Sequence, residues 1–234
     1  MYYIFLNLSF LAVWIRAAID PVYPHDWLLE NYLVFAFVPV MIRSWYKFRL
    51  SKISYTCIAL FMILHVVGSH YTYAEVPFGN HVTNFANIIW WAVSNLFGWD
   101  RNSYDRLVHF GFGLFFAYPV REIFIRIAKV KWFWWYFLPI AIMWMFGWMY
   151  EIIERVAAVN LDAAAGSAFL WSQWDIRDAQ KDIVLAGIWW FMTMFIVTWV
   201  NAIYQKDFIY EMYHSFDLEK NDKPLWEVKL SEIV

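Results

Sequence analysis

Six runs of mostly apolar residues divide the chain, at approximately Met1 to Ile19, Trp27 to Trp45, Ser54 to His70, Asp105 to Arg126, Trp132 to Arg155 and Asp182 to Tyr204. A helix needs about 20 apolar residues to cross the hydrocarbon of a bilayer, and an open sheet cannot cross at all because its edge amides would lack partners. The pattern therefore predicts an all-α fold, a polytopic transmembrane helical bundle of about six spanning helices. The fourth and fifth runs carry charges near their ends and depend more on partner helices than the others do. Between the third and fourth runs, Phe85 to Trp99 is apolar but short and Trp-rich, which predicts an interfacial helix lying on the membrane. Pro39, Pro119 and Pro139 fall inside spans, where membrane bundles tolerate them. Gly111, Gly113 and Gly147 would let helices approach closely.

Composition supports lipid as the solvent, since 62% of the 234 residues are hydrophobic and 23% aromatic, too apolar a load for an ordinary water-soluble domain. The 17 tryptophans and 15 tyrosines are suited to belts at the two membrane surfaces. The aromatic runs Trp132 to Phe137 and Trp189 to Phe191 read as lipid contact or packing. A net charge of -2 without a basic block excludes nucleic acid as an expected partner and leaves membrane lipids. Cys57 stands alone within an apolar run, so no intrachain disulfide can form and the residue reads as packing. The start of the chain has neither a positive leader nor a small-residue cleavage site and reads as a retained helix. Lys and Arg accumulate on cytoplasmic loops. They gather after the second run (Arg43, Lys47, Arg49, Lys52) and after the fourth (Arg121, Arg126, Lys129, Lys131). Both turns are expected to be cytoplasmic, which with six spans places both termini inside. Residues 1–205 then form the transmembrane domain and 206–234 a polar cytoplasmic tail.

That topology sends the remaining ionisable residues to the opposite face. Arg16 and Asp20 end the first run, His25, Asp26 and Glu30 open the second, and His65 and His70 end the third. Asp105, Arg106 and His109 open the fourth, Glu151 and Glu154 end the fifth, and Asp175, Asp178 and Asp182 lead into the sixth. Ionisable groups at such depth are costly unless they face a cavity or one another, so the cluster is a candidate functional site. Asp105 and His109 are four apart, Glu151 and Glu154 three, and Asp178 and Asp182 four, so each pair shares a helix face. Carboxylates and imidazoles offered from several helices resemble the ligand sets with which bundles hold divalent metals. The same pairs can equally neutralise buried charge and lock helices together without ion or substrate. His25, His81 and His214 read as surface histidines. No phosphate loop, nucleophile elbow, zinc helix or Cys-based zinc pair is present in the sequence.

The segments that carry these residues resemble a known family. His65-Val66-Val67-Gly68-Ser69-His70-Tyr71-Thr72-Tyr73-Ala74-Glu75-Val76-Pro77 and Arg101-Asn102-Ser103-Tyr104-Asp105-Arg106-Leu107-Val108-His109-Phe110 look like the bacterial inner-membrane YjdF-like family. So do Asp26-Trp27-Leu28-Leu29-Glu30-Asn31, Tyr150-Glu151-Ile152-Ile153-Glu154 and Asp178-Ala179-Gln180-Lys181-Asp182. Together they cover roughly residues 26 to 190. The resemblance implies a multi-pass protein of the bacterial inner membrane and no more, because that family is largely described without an assigned function. Trp174 and Arg177 stand where the family pattern has Gly and Trp, a departure at the rim of the expected pocket. A fainter similarity, through Asp105 to His109 and a later Glu, links the chain to VanZ-like membrane proteins as an analogy of architecture alone.

Three functions compete on these grounds. The first is a metal-assisted hydrolase or transferase acting on a lipid-linked envelope substrate. Glu151, Glu154 and Asp105 would serve as acid and base groups, and His65, His70, His109, Asp178 and Asp182 as ligands of a divalent Zn, Mg or Mn ion. Arg106, Arg155 and Lys181 would hold an anionic head group, with Tyr71 and Tyr73 as further substrate contacts. The second is a proton-coupled transporter using the same groups as a relay, against which stand their crowding at one face and the lack of an inverted repeat. The third is a structural or accessory membrane protein whose polar cluster only joins helices.

Overall fold

A computed structural model describes residues 1–73, 75–77, 104–128, 133–160 and 178–204; the side chains at 154, 157–160, 178, 179, 182 and 204 are outside that description. Among the described residues every regular element is a helix: α1 Tyr2–Ala18, α2 Pro24–Lys47, α3 Lys52–His70, α4 Tyr104–Arg126, α5 Trp134–Asn160 and α6 Asp178–Tyr204. Five of these, α2 to α6, are long and apolar enough to cross a membrane. The first apolar run forms a helix of 17 residues, about 26 Å long at 1.5 Å per residue and so below the ~30 Å of the hydrocarbon. The expected count of about six is therefore met by five full-length helices and one shorter. The Trp-rich segment 85–99 and the tail 206–234 lie outside the described residues.

Local chemistry sets the helix starts. Pro24 occupies the first turn of α2, where its fixed φ favours the helix and its missing N–H costs nothing, so α2 begins before the apolar run does. Ser51 caps α3, its hydroxyl accepting the Ser54 N–H at 3.2 Å. Glu122 reaches the same cap from α4: the Ser51 N–H donates to both carboxylate oxygens at 2.8 and 3.0 Å, and Ser54 and Arg126 donate to them as well. A carboxylate at a helix N-terminus meets the positive end of the helix dipole. Glu122 thereby fixes the basic end of α3 against α4.

The helices pack in series. α3 joins α1 and α4, α4 carries α5 and α6, and α2 rests mainly on α3. Between α4 and α6 the backbones come close, since a Cβ at Gly113 would stand 2.6 Å from the Ala186 carbonyl oxygen, and Trp190 fills the space beside it, fully buried. Of the three span glycines, Gly113 makes the expected close approach, whereas Gly111 and Gly147 face the side chains of Leu64 and Trp190. On the other side Asn31 ties three helices. Its carbonyl accepts the Trp14 indole N–H at 2.7 Å, and its amide donates to the Trp27 carbonyl at 2.7 Å and to Ser69 Oγ at 3.4 Å. At the basic ends Tyr3, Trp45 and Tyr55 form an aromatic cluster with Arg49 over the Trp45 ring. Phe195 and Trp199 are exposed while Trp190 is buried, so the outside of the bundle is apolar where lipid would touch it. Cys57 is half-buried in α3.

After α3 the chain turns back on itself. Thr72 and Tyr73 both adopt φ 54, a region that side chains other than glycine rarely enter. The Tyr73 N–H donates to the Gly68 carbonyl at 2.9 Å. This lays the Tyr73 ring over Gly68, where an added Cβ would come within 2.6 Å of a ring carbon. Only glycine leaves room for the ring.

Two outcomes follow for stability in detergent. Glu122→Ala should cost about 1–3 kcal/mol, the penalty for stranding buried donors, and Glu122→Gln less; thermal unfolding of the purified variants measures both, and equal melting temperatures for all three proteins would contradict the cap. Gly68→Ala should displace Tyr73 and lower the melting temperature, whereas Gly68→Ala combined with Tyr73→Ala should recover part of the loss.

Candidate functional site

The residues of the site come from four helices that present the same end. α2 brings Asp26 and Glu30, α3 brings His65 and His70, α4 brings Asp105, Arg106 and His109, and α5 brings Tyr150 and Glu151. Asp26, Glu30, His65, His70, Asp105 and Arg106 are buried. The convergence expected from the sequence is thus present for these four helices, and it divides into two groups.

The first group centres on His65. Its Nε2 stands 3.3 Å from the Glu30 backbone carbonyl, which can only accept, so Nε2 carries the proton. A neutral ring then offers its lone pair at Nδ1, and the Tyr73 hydroxyl donates to it at 2.5 Å. Both ring nitrogens are engaged by the protein. The carboxyl of Glu30 accepts from the Tyr150 hydroxyl at 3.3 Å through Oε2, while its buried Oε1 has no hydrogen-bond partner among the described residues. Glu30 and Tyr150 therefore link α2 to α5.

The second group joins α4 to α5. His109 Nε2 lies 3.7 Å from Glu151 Oε1, an ion-pair distance longer than a normal hydrogen bond. Asp105 lies one turn earlier on α4. An imidazole beside a carboxylate is the arrangement of a general base whose charged form is stabilised as it takes a proton.

A cavity of about 420 Å³ connects the two groups. His65, Tyr73, Asp105, His109 and Tyr150 line its polar end, and almost all its other walls are apolar. This is the composition of a ligand pocket, apolar with a few convergent polar groups.

Other expected residues lie elsewhere. The His70 Nδ1–H donates to the Ala17 carbonyl of α1 at 2.9 Å, and the His70 ring stands edge-on to Tyr71; neither residue lines the cavity. Arg155 and Lys181 are exposed, as are Arg16, Asp20 and His25. Asp178, Lys181 and Asp182 occupy the first turns of α6, and Glu154 follows Glu151 on α5. The side chains of Glu154, Asp178 and Asp182 lie outside the described residues, as do Asp175, His81 and His214 entirely. Among the described residues no group of three or more His, Cys, Asp or Glu is placed to hold a metal ion. At the outer rim the Tyr23 hydroxyl donates to Glu75 at 3.0 Å, and that carboxylate pushes the phenol above its usual range.

The sequence puts Glu30 in the cluster, with a part only in the relay of the transporter alternative, and Tyr150 only within the family-like segment Tyr150 to Glu154. Glu30 repeats Asp26 one turn further into an apolar run, and that spacing was the available signal. Tyr150 offers no comparable sign, because a tyrosine beside an acidic pair is ordinary in so aromatic a chain.

Comparison with known proteins agrees with this architecture. Residues 2–207 match a family described as a predicted membrane protein, DUF2238. The inner membrane protein YjdF of Escherichia coli (strain K12) is 33% identical over 185 residues, covering 77% of this chain and 83% of that protein. No solved structure matches. The match takes in most of this chain and most of that relative, and the chain belongs to the DUF2238 family of predicted membrane proteins.

Proposed function

We propose that this protein is an inner-membrane enzyme that hydrolyses, or transfers a group on, a lipid-linked envelope substrate at the extracytoplasmic side. One observation carries the reading: an apolar cavity inside the bundle ends at His65, Tyr73, Asp105, His109 and Tyr150. An amphiphile bound there would bury its apolar part among the helices and present its polar junction to these groups. His109 is the base for an attacking water or hydroxyl, and Glu151 stabilises the imidazolium that forms. Tyr73, held by His65 and by the turn over Gly68, supplies a fixed hydroxyl at the same end. Arg106, buried on α4 beside Asp105, lies behind the cavity lining and would lend its positive charge to an anionic head group from there. In the metal-assisted form of the chemistry, His109 and Glu151 together with Glu154, Asp178 and Asp182 would hold a divalent ion, which would supply Lewis-acid activation of a water.

The side follows from charge. Arg43, Lys47 and Arg49 cluster where α2 ends, and Arg121 and Arg126 lie at the same end of the bundle on α4, opposite the polar site. Both termini are cytoplasmic in this reading.

Turnover of an envelope lipid extract by the purified protein, followed by mass spectrometry, tests the chemistry. The parent should deplete one lipid-linked species, and His109→Ala or Glu151→Gln should slow this by about 10²-fold or more while keeping the parental melting temperature. Inductively coupled plasma analysis of the same samples decides the metal, whose content His109→Ala should lower. A parent that alters no species sinks the catalytic reading. Sidedness is checked separately in a Cys57→Ser background. A cysteine replacing Tyr23 should react with a membrane-impermeant thiol reagent from the periplasm, and one replacing Lys47 should not.

A further inference from the structure

We infer that the cavity is the berth of one long hydrocarbon chain, drawn sideways from the bilayer through the gap between α2 and α5. The inference deepens the reading above and rests on it only for the location of the head group; the chain-binding channel stands on its own geometry.

Length comes first. The cavity lining follows α4 from Asp105 to Ile123, a rise of about 27 Å that matches the ~30 Å hydrocarbon thickness. Spread along that distance, a volume of about 420 Å³ is a narrow bore, one chain wide. Phe48, Leu50 and Ile123 line its far end, with Ser44 as a polar exception. Small water-soluble ligands have no use for so long an apolar tube. A chain ending in a polar junction matches it at both ends.

The opening faces lipid. α3 and α4 form the back wall, where Phe37 of α2 meets Phe116 of α4 at 5.8 Å between ring centroids. α2 and α5 are the side walls; they meet at the polar end through Glu30 and Tyr150 and pack little elsewhere. Residues lining the cavity are also exposed on the outer surface along this gap: Val40 at 61% on α2, and Phe146 at 43% and Met149 at 45% on α5. In a membrane these side chains lie at the height of the acyl chains, so the occupant on hand is a bilayer lipid. The Glu30 and Tyr150 hydrogen bond closes the gap at the polar end, leaving access from the hydrocarbon side.

Reconstitution into vesicles of phosphatidylethanolamine and phosphatidylglycerol, doped with a phospholipid bearing a diazirine at the end of one palmitoyl chain, tests the channel. After illumination, crosslinks should map to Phe48, Phe116 and Ile123 in addition to the lipid-facing residues of α6. Val40→Trp and Leu33→Trp narrow the gap from its exposed rim and should reduce the interior label about tenfold, with label on Phe195 and Trp199 unchanged as the internal control for fold and reconstitution. Label confined to the outer surface of the bundle overturns the inference, as does interior label indifferent to both tryptophans. Interior labelling in a protein that turns over no lipid retires the catalytic reading alone; turnover without interior labelling retires the channel alone.

Discussion

Hydrocarbon supplies no hydrogen bonds, so each polar group carried into the bundle has to find its partner within the protein. The arrangement of helices can be read as the set of answers to that demand. Glu122 answers at the basic end by accepting the donors that begin α3. Asn31 answers in the middle of the α1, α2 and α3 group, with a tryptophan indole, a carbonyl and a serine hydroxyl around one amide. At the polar end, the path from Tyr73 through His65 to the Glu30 carbonyl, and from the Glu30 carboxyl to Tyr150, holds α2, α3 and α5 in register. Apolar packing between helices is weakly directional in lipid, so these polar ties define which helix faces meet.

The same ties explain why a cavity survives. α4 and α6 pack backbone to backbone at Gly113 and Ala186, and Trp190 leaves no space between them. α2 is held differently, through hydrogen bonds near its first two turns and ring contacts at Phe37 and at Trp45. A helix tethered near its two ends need not close on its neighbours between them. The open volume therefore lies against α2 and ends at the residues that tether it.

The chain shows how far hydropathy reaches. Span positions were legible because about 20 apolar residues in succession have few other uses, and the ionisable residues were legible as a group because alternating helices return them to one end. Division of that group was not legible. A spacing of three or four residues says that Asp105 and His109 share a face of α4; it does not say which neighbour that face meets. His70 differs from His65 by little more than one turn of α3, yet one bonds to Ala17 of α1 and the other to Tyr73 beside the cavity. The left-handed turn that brings Tyr73 back over Gly68 has no propensity signal, since neither Thr72 nor Tyr73 favours that backbone. The cavity itself depends on distances between helices, which no linear pattern encodes.

The short first helix has a consequence for the surrounding membrane. α1 stands at one edge of the packing series and the 27-residue helices α5 and α6 at the other. The molecule thus presents lipid with a wall about 4 Å lower than a typical bilayer on one flank, set by its 17 residues, and a full wall on the opposite flank. Leaflets drawn together beside α1 cost fractions of a kcal/mol per Å, which tilting of the whole bundle relieves. The α1 flank therefore matches a thinner bilayer than the opposite flank does.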